Sequence, residues 1–430
     1  MEQNKKSVEF PINLFCSLML LSLIPFLYTL VRTHLIANIP STDGLGIAGH
    51  IEWFDLINET IQAFLIVPLY ALFNRCIYDK KRFKERIFQA FFFVNIIYIL
   101  FSTVVLIHCK YIVSVMAHDN IQEVAKYLEL ETIGFMIGNI VSFVNVLFVV
   151  LDQSLYIYAM VILKTIFTII GDLFLIPIFG VNGVAYSNIV VSLVCVVLCM
   201  IAVFRQKLFM VSFRIDPLFL KDYSTIGFFS GAGILLDNVI YSAIVCKMVN
   251  AVAEQGNYWI ANSIIWGLML IPITALAELI KKDCKDKLKP DQMKKYNIVI
   301  IATFFIWLCF IPLLNPFLKN VMGIENYADV KHILILLIPF YLVYNYTVLF
   351  DSILIGHGKT TYCFVISVIV NLVYYPILYR LMSKGFFTPG ITFICMMFGF
   401  GMVVHLICSV VGFTIYKKVS FHKPQPTTNA

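Results

Sequence analysis

The sequence predicts an all-α integral membrane protein, with twelve transmembrane helices in two six-helix lobes related as parallel repeats. Three observations lead there. The 430 residues are 60% hydrophobic and only 13% charged, whereas soluble domains carry about 25% charged residues. Apolar runs of about 20 residues, the length that crosses a bilayer, recur throughout the chain. Lys and Arg gather in alternate connections between those runs.

The spans fall near 11–31, 51–73, 86–108, 128–150, 155–178, 183–204, 226–249, 259–280, 297–318, 331–355, 361–382 and 390–416. The first, with Lys5 and Lys6 ahead of it, resembles a signal peptide but lacks a small-x-small cleavage site, so it is read as retained. With the N-terminus cytoplasmic, inside segments hold 23 Lys and Arg, outside loops hold eight, and Lys164 alone lies mid-span. That bias predicts a plasma-membrane protein with both termini cytoplasmic. On this topology Cys109 is expected to react from outside and Cys284 only from inside. None of the eleven cysteines forms a C-x-x-C pair, so packing is expected of them rather than disulfides or a metal site.

Gly358-Lys359-Thr360 raises the question of a nucleotide site. A phosphate-binding loop needs a glycine five places before Gly358 and a preceding strand. That place holds Ile353, and the run ahead of it is too long and apolar for a strand. No nucleotide and no other cofactor is expected, and the basic residues are sorted by membrane side rather than arrayed for nucleic acid.

The spans divide six and six. The N-terminal lobe is residues 1–204, a cytoplasmic linker is 205–225, and the C-terminal lobe with a short tail is 226–430. "IVPLYAL" (66–72) in span two matches "LIPITAL" (270–276) in span eight. "DLFLIP" (172–177) in span five matches "NLVYYP" (371–376) in span eleven, at nearly the same offset. An even number of spans per half makes the repeats parallel, with the substrate path expected between them.

Several stretches carry a family resemblance. "FGVNGVAYSNIVVSLV" (179–194), "WIANSIIWGLMLIPITAL" (259–276) and "LIGHGKTTYCFVISVIVN" (354–371) are similar to motifs of the multidrug and toxic compound extrusion (MATE) family, within the superfamily that also holds lipid-linked oligosaccharide flippases. The resemblance implies a two-lobed transporter and reads Gly358-Lys359-Thr360 as a short turn between spans ten and eleven. Arg32 stands where the family often has an aspartate implicated in ion coupling. That role does not carry over to it.

Charges inside spans are costly and face a cavity or a partner. On span two, Glu52, Asp55 and Glu59 share one helical face, which Gln62 extends. This stripe is either an acidic wall of the central cleft or a wet rim paired with Arg32 or His50. Lys164 on span five needs a partner, with Asp172 among the candidates. Asp237 and Asn238 lie midway along span seven, where the family often has an acid. Asp351 lies in span ten and Asn262 in span eight. Asn262 is one of several amides expected to bond between helices. His405 is expected to be a hydrogen-bonded packing residue.

The substrate- and ion-binding candidates are therefore Asp55, Glu59, Lys164, Asp172, Asp237, Asn238, Asn262 and Asp351. With 38 Phe and 22 Tyr available for cation–π contact, the leading expectation is a secondary exporter. It would move amphipathic organic cations by alternating access, in exchange for H⁺ or Na⁺. The alternative is a flippase for a lipid-linked oligosaccharide or polysaccharide, whose diphosphate calls for several cations. An enzyme is not expected, because no large outer loop or His/Asp catalytic pair is present. The partners expected are the transported molecule and membrane lipids, with the protein a monomer.

Overall fold

The computed structural model describes residues 10–37, 47, 52–116, 120–211, 216–286, 288–388 and 390–422. Among them, eleven helices are long and apolar enough to cross a membrane, and a bent pair, Gly256–Met269 with Ile271–Asp283, makes a twelfth span. The chain is a multi-pass, all-helical membrane protein.

The spans follow the expected order. Span one is Ile12–Ala37, span three Lys80–Met116, span four Ile121–Val150, span five Ser154–Phe179 and span six Asn182–Arg205. Span ten is Tyr327–Gly356 and span twelve Ile391–His422. The contacts divide the chain into two compact units, Pro11–Gly227 and Phe228 onward. The segment read as a linker is helical from Pro217. It is tied to the first unit by Arg75–Asp222 at 2.7 Å and by an Arg86–Asp216 ion pair.

Proline decides the shape of spans two and eight. Pro68 and Pro272 have no N–H to give the preceding turn. Span two accordingly breaks at Ile66, between Glu52–Leu65 and Val67–Cys76. Span eight breaks at Leu270 and bends by 49°. In both, the next N–H turns to the cap residue instead: Leu69 N–H to Ile66 O at 3.1 Å, and Ile273 N–H to Leu270 O at 2.9 Å. Among the carbonyls around each break, this leaves Leu65 O and Met269 O without their usual helical donor. A side chain answers each: the Tyr223 hydroxyl donates to Leu65 O, and the Trp307 indole N–H donates to Met269 O at 2.9 Å. Both prolines lie in the matched heptapeptides, so the two breaks are built alike.

Small residues let the helices of the first unit close up, as van der Waals packing in lipid demands. A Cβ on Gly171 would meet Ser187 Oγ at 2.4 Å, and one on Gly183 would meet Leu175 O at 2.3 Å. Gly358, at φ +69°, ends span ten in the left-handed conformation. Its N–H bonds Ile355 O and that of Lys359 bonds Leu354 O, both at 2.8 Å, the double closure of a Schellman motif. Gly358-Lys359-Thr360 is a helix–turn–helix connection.

Cys109 and Cys284 are both buried, at 1% and 6% exposure. The reagent-labelling expectation placed on them is corrected: neither thiol is presented to an aqueous reagent, because each packs between helices.

Candidate functional site: carboxylates within the spans

In the first unit the centre is Asp172, 0% exposed, on span five. It was a candidate partner for Lys164. Instead Arg32 of span one grips it with both arms of its guanidinium, Nε to Oδ2 at 2.7 Å and Nη2 to Oδ1 at 3.1 Å. Tyr28, one helical turn before Arg32, donates its hydroxyl to Oδ2 at 2.9 Å. Arg32 Nη2 also donates to Asn188 Oδ1 at 3.1 Å. The Asn188 amide in turn donates to Glu131 Oε1 at 2.8 Å. Glu131 is 5% exposed on span four. Spans one, four, five and six thus share one polar network holding two carboxylates and a guanidinium. A bidentate guanidinium is the geometry that best offsets the cost of burying a carboxylate.

Lys164 lies exposed on its helix, and among the described residues it forms no ion pair. Of the acids that could partner Lys164, Asp172 is taken by Arg32 instead. Asp172 lies eight residues along the same helix, while Arg32 reaches it from a neighbouring one.

On span two, Phe54 and Thr60 are buried while Asp55 and Glu59 are exposed, one turn apart. Gln62, read as extending their stripe, turns to the bundle and donates to Asn139 Oδ1 at 3.1 Å, and Asn139 donates to Asn95 Oδ1 at 3.1 Å. Tyr98 donates to Asn58 Oδ1 at 2.5 Å. These amides lace spans two, three and four together.

In the second unit Asp237 of span seven accepts from Ser367 Oγ and from Asn371 Nδ2, both at 2.5 Å. Ser367 and Asn371 are one turn apart on span eleven. Asn371 sits in a π-helical turn, Ile369–Tyr374, and span seven has another, Tyr241–Cys246, just after Asp237. Such turns swell the helix and free backbone groups, and they concentrate at functional sites. Asp237 forms no ion pair among the described residues; its hydrogen-bond partners are a hydroxyl and an amide, with His405 and Asp351 within electrostatic reach.

Asp351 has a different partner. Its Oδ2 lies 3.0 Å from His405 Nε2, and Ser409 Oγ donates to its Oδ1 at 2.7 Å. His405 is hydrogen-bonded, as its sequence reading had it, but to a carboxylate. Asn238 is half-buried beside Asp237. Asn262 Oδ1 is buried with no hydrogen-bond partner among the described residues.

The structure therefore joins Asp172 to Arg32, Tyr28, Asn188 and Glu131, and Asp237 to Ser367 and Asn371. Sequence reasoning did not select Glu131, Asn188, Ser367 or Asn371 as site residues. One signal was available: Asp172 and Asn371 each lie five residues before the proline of the matched hexapeptides.

No family model and no curated protein matches this chain in sequence. Solved structures do match in shape. The chain is similar to a MATE protein in its straight conformation at TM-score 0.80 and 15% identity, covering 96% of each chain. It is similar to a mutant of the Vibrio cholerae MATE transporter VcmN at TM-score 0.77 and 15% identity, covering 96% of this chain and 97% of that one. It is also similar to a MOP-superfamily transporter from Pyrococcus furiosus, described by the reverse polarity of its binding pocket, at TM-score 0.77, 15% identity and 95% coverage of both. The fold is that of the MATE transporters.

Proposed function

We propose that this chain is a secondary transporter that exports amphipathic organic cations by alternating access of its two halves, in exchange for H⁺ or Na⁺. The observation that carries the reading is Asp237, an acid inside a span whose hydrogen bonds come from neutral donors, Ser367 and Asn371, with the titratable His405 its one basic neighbour among the described residues. A carboxylate so placed is pre-oriented yet not neutralised, so a proton, a metal cation or an organic cation can take the place a fixed base would fill. Asp55 and Glu59, exposed on one face of span two, add negative charge that draws such a substrate in. The MATE fold over nearly the whole chain supports a transporter and gives no reason to look for an enzyme. On this reading the chain is a monomer in the plasma membrane with both termini cytoplasmic, driven by an ion gradient and not by a nucleotide.

A second reading has less support. Arg32 is already held by Asp172, which leaves Lys164 as the mid-span cation of the first half, and a similar structure from Pyrococcus furiosus is described as having a binding pocket of reverse polarity, suggesting a different function. A flippase for lipid-linked glycans would use such cations to bind its diphosphate.

Transport assays in vesicles decide. Asp237→Asn and Glu59→Gln are each expected to abolish gradient-driven efflux of a cationic dye while expression stays intact. If both variants export normally, or if the purified protein binds polyprenyl-diphosphate sugars and ignores cations, the flippase reading replaces this one.

A further inference from the structure

Spans five and six run antiparallel, and sulfur gathers on their seam. The Cys199 thiol of span six donates to Met160 Sδ of span five at 3.3 Å. Further along the seam Gly171 abuts Ser187. These two contacts fix the register, in which each step forward on span five meets a step back on span six. Lys164, four residues on from Met160, therefore stands opposite Cys195, four residues back from Cys199. The two do lie within electrostatic reach of each other. Met160, Cys195 and Cys199 are 6%, 3% and 1% exposed, whereas Lys164 is exposed.

Cys195 and Cys199 have the i, i+4 spacing by which two histidines of one helix hold a single zinc ion. Their Cβ atoms stand about 5–6 Å apart on one face, near enough for both sulfurs to close on one ion. Met160 brings a third sulfur from across the seam. Two thiols and a thioether are soft donors, which select Cu(I). Zinc wants a fourth ligand, and among the described residues no group of three His, Cys, Asp or Glu gathers to supply such a set. In the sequence the cysteine pair reads as packing because it offers two ligands only; folding supplies the third from span five.

We propose that Met160, Cys195 and Cys199 form a binding site for Cu(I), with two thiolates and one thioether around the ion. Binding makes three Cu–S bonds and releases two protons, one from each thiol. Copper enters and stays as Cu(I), so no electron moves. The filled dithiolate site carries one negative charge. The Lys164 ammonium, facing Cys195, offsets it, which makes the filled site neutral where an unbalanced charge is costly. Lys164, which forms no ion pair among the described residues, thereby gains a counter-charge. It is also the one member of the block open to the surface, and marks the side on which the ion enters. The site is independent of Asp237 and of what the protein transports.

The test is anaerobic titration of the detergent-purified full-length protein with Cu(I), in competition with bicinchoninate, whose colour reports the ion it gives up. The unaltered protein is expected to take up one equivalent more than Cys195→Ala with Cys199→Ala. The other cysteines are present in both, so the difference counts this site. Met160→Leu, which keeps the packing volume and removes one sulfur, is expected to weaken that equivalent by about ten-fold or more. Lys164→Gln is expected to weaken it by about ten-fold with the proton release unchanged. X-ray absorption of protein loaded with one equivalent is expected to find only sulfur around the copper. Equal uptake by the unaltered protein and the double cysteine variant overturns the proposal. So does a copper shell of nitrogen or oxygen, or a Cu(I) affinity untouched by Met160→Leu, a change that spares the fold. Zn(II) bound at the site as tightly as Cu(I) overturns it too.

Discussion

Arg32 and Asp172 form a two-armed ion pair inside the first unit, where Asp172 is wholly buried. At the matched place in the second unit, five residues before the proline of span eleven, stands the neutral Asn371, and its partner on span seven is the acid Asp237. One half thus closes its span-one to span-five contact with a fixed cation. The other makes its span-seven to span-eleven contact with a carboxylate and neutral donors. The matched positions carry an ion pair in one half and an acid hydrogen-bonded by neutral side chains in the other. This asymmetry is why ion exchange is placed at Asp237 in the proposed mechanism, not at Asp172.

Removing one member of the buried pair leaves an uncompensated charge. Asp172→Ala is expected to cost about 3–5 kcal/mol of stability. Replacing both, Arg32→Met with Asp172→Leu, is expected to recover most of that, because neither charge then needs a partner. Thermal unfolding of the detergent-purified variants checks this. A double variant no more stable than Asp172→Ala refutes the pairing.

The two proline breaks make a matched pair of expectations. Tyr223→Phe and Trp307→Phe each keep a ring in place while removing the donor to Leu65 O and Met269 O. A buried carbonyl left unmet costs about 1–3 kcal/mol. Both variants are therefore expected to unfold at lower temperature by similar amounts, with membrane insertion intact. A loss confined to one of them means the two breaks are not equivalent.

Which of these features the sequence carried follows from their range. Span number and order were legible because crossing a bilayer imposes length and apolarity locally, on each segment alone. The breaks at Ile66 and Leu270 were foreshadowed by Pro68 and Pro272 for the same reason. The partners were not legible. Asp172 sees Lys164 in the sequence because both lie on one helix, whereas Arg32, 140 residues away, reaches it only through helix packing. Glu131 drew no notice near the start of an apolar run, since nothing local shows that its side chain turns inward to Asn188. Gln62 fitted the acidic stripe by spacing but faces Asn139, because the stripe's angular width places it at the edge of the bundle.

Sidedness rests on the distribution of basic residues, and span three offers a direct check. Lys81 and Lys110 are exposed near opposite ends of one helix, Lys80–Met116, about 44 Å apart along its axis. Cysteine placed at 110 is expected to react with an impermeant thiol reagent in intact cells, and cysteine placed at 81 only after permeabilisation. Both would be built on a background whose exposed Cys309 is replaced by Ser. The opposite labelling pattern inverts the topology.

The turn from span five into span six contains two glycines that matter for different reasons. Gly180 has φ +62° with open space around it. Its ψ of −141° lies outside the left-handed helical region, so alanine there meets backbone strain alone, about 1–3 kcal/mol. Gly183 is in ordinary helix, but a Cβ on it would stand 2.3 Å from Leu175 O and 2.6 Å from Ile176 Cα. Those are main-chain atoms of span five, which no rotamer change can move aside. Gly183→Ala must push the two helices apart at the place where Ile176 and Val184 pack into the buried cluster with Phe54 and Leu128. Overpacking of this kind costs about 3 kcal/mol, the upper part of its usual range, because the obstacle is backbone. The cost reaches Asp172 and Asn188 as well, since they lie on the two helices being separated. Gly183→Ala is therefore expected to lower the unfolding temperature more in the unaltered protein than in the Arg32→Met, Asp172→Leu background, where no polar network remains to be disrupted, whereas the effect of Gly180→Ala is expected to be the same in both. A Gly183→Ala effect that is unchanged by removing the Arg32–Asp172 network would show that spans five and six are not held apart at Gly183.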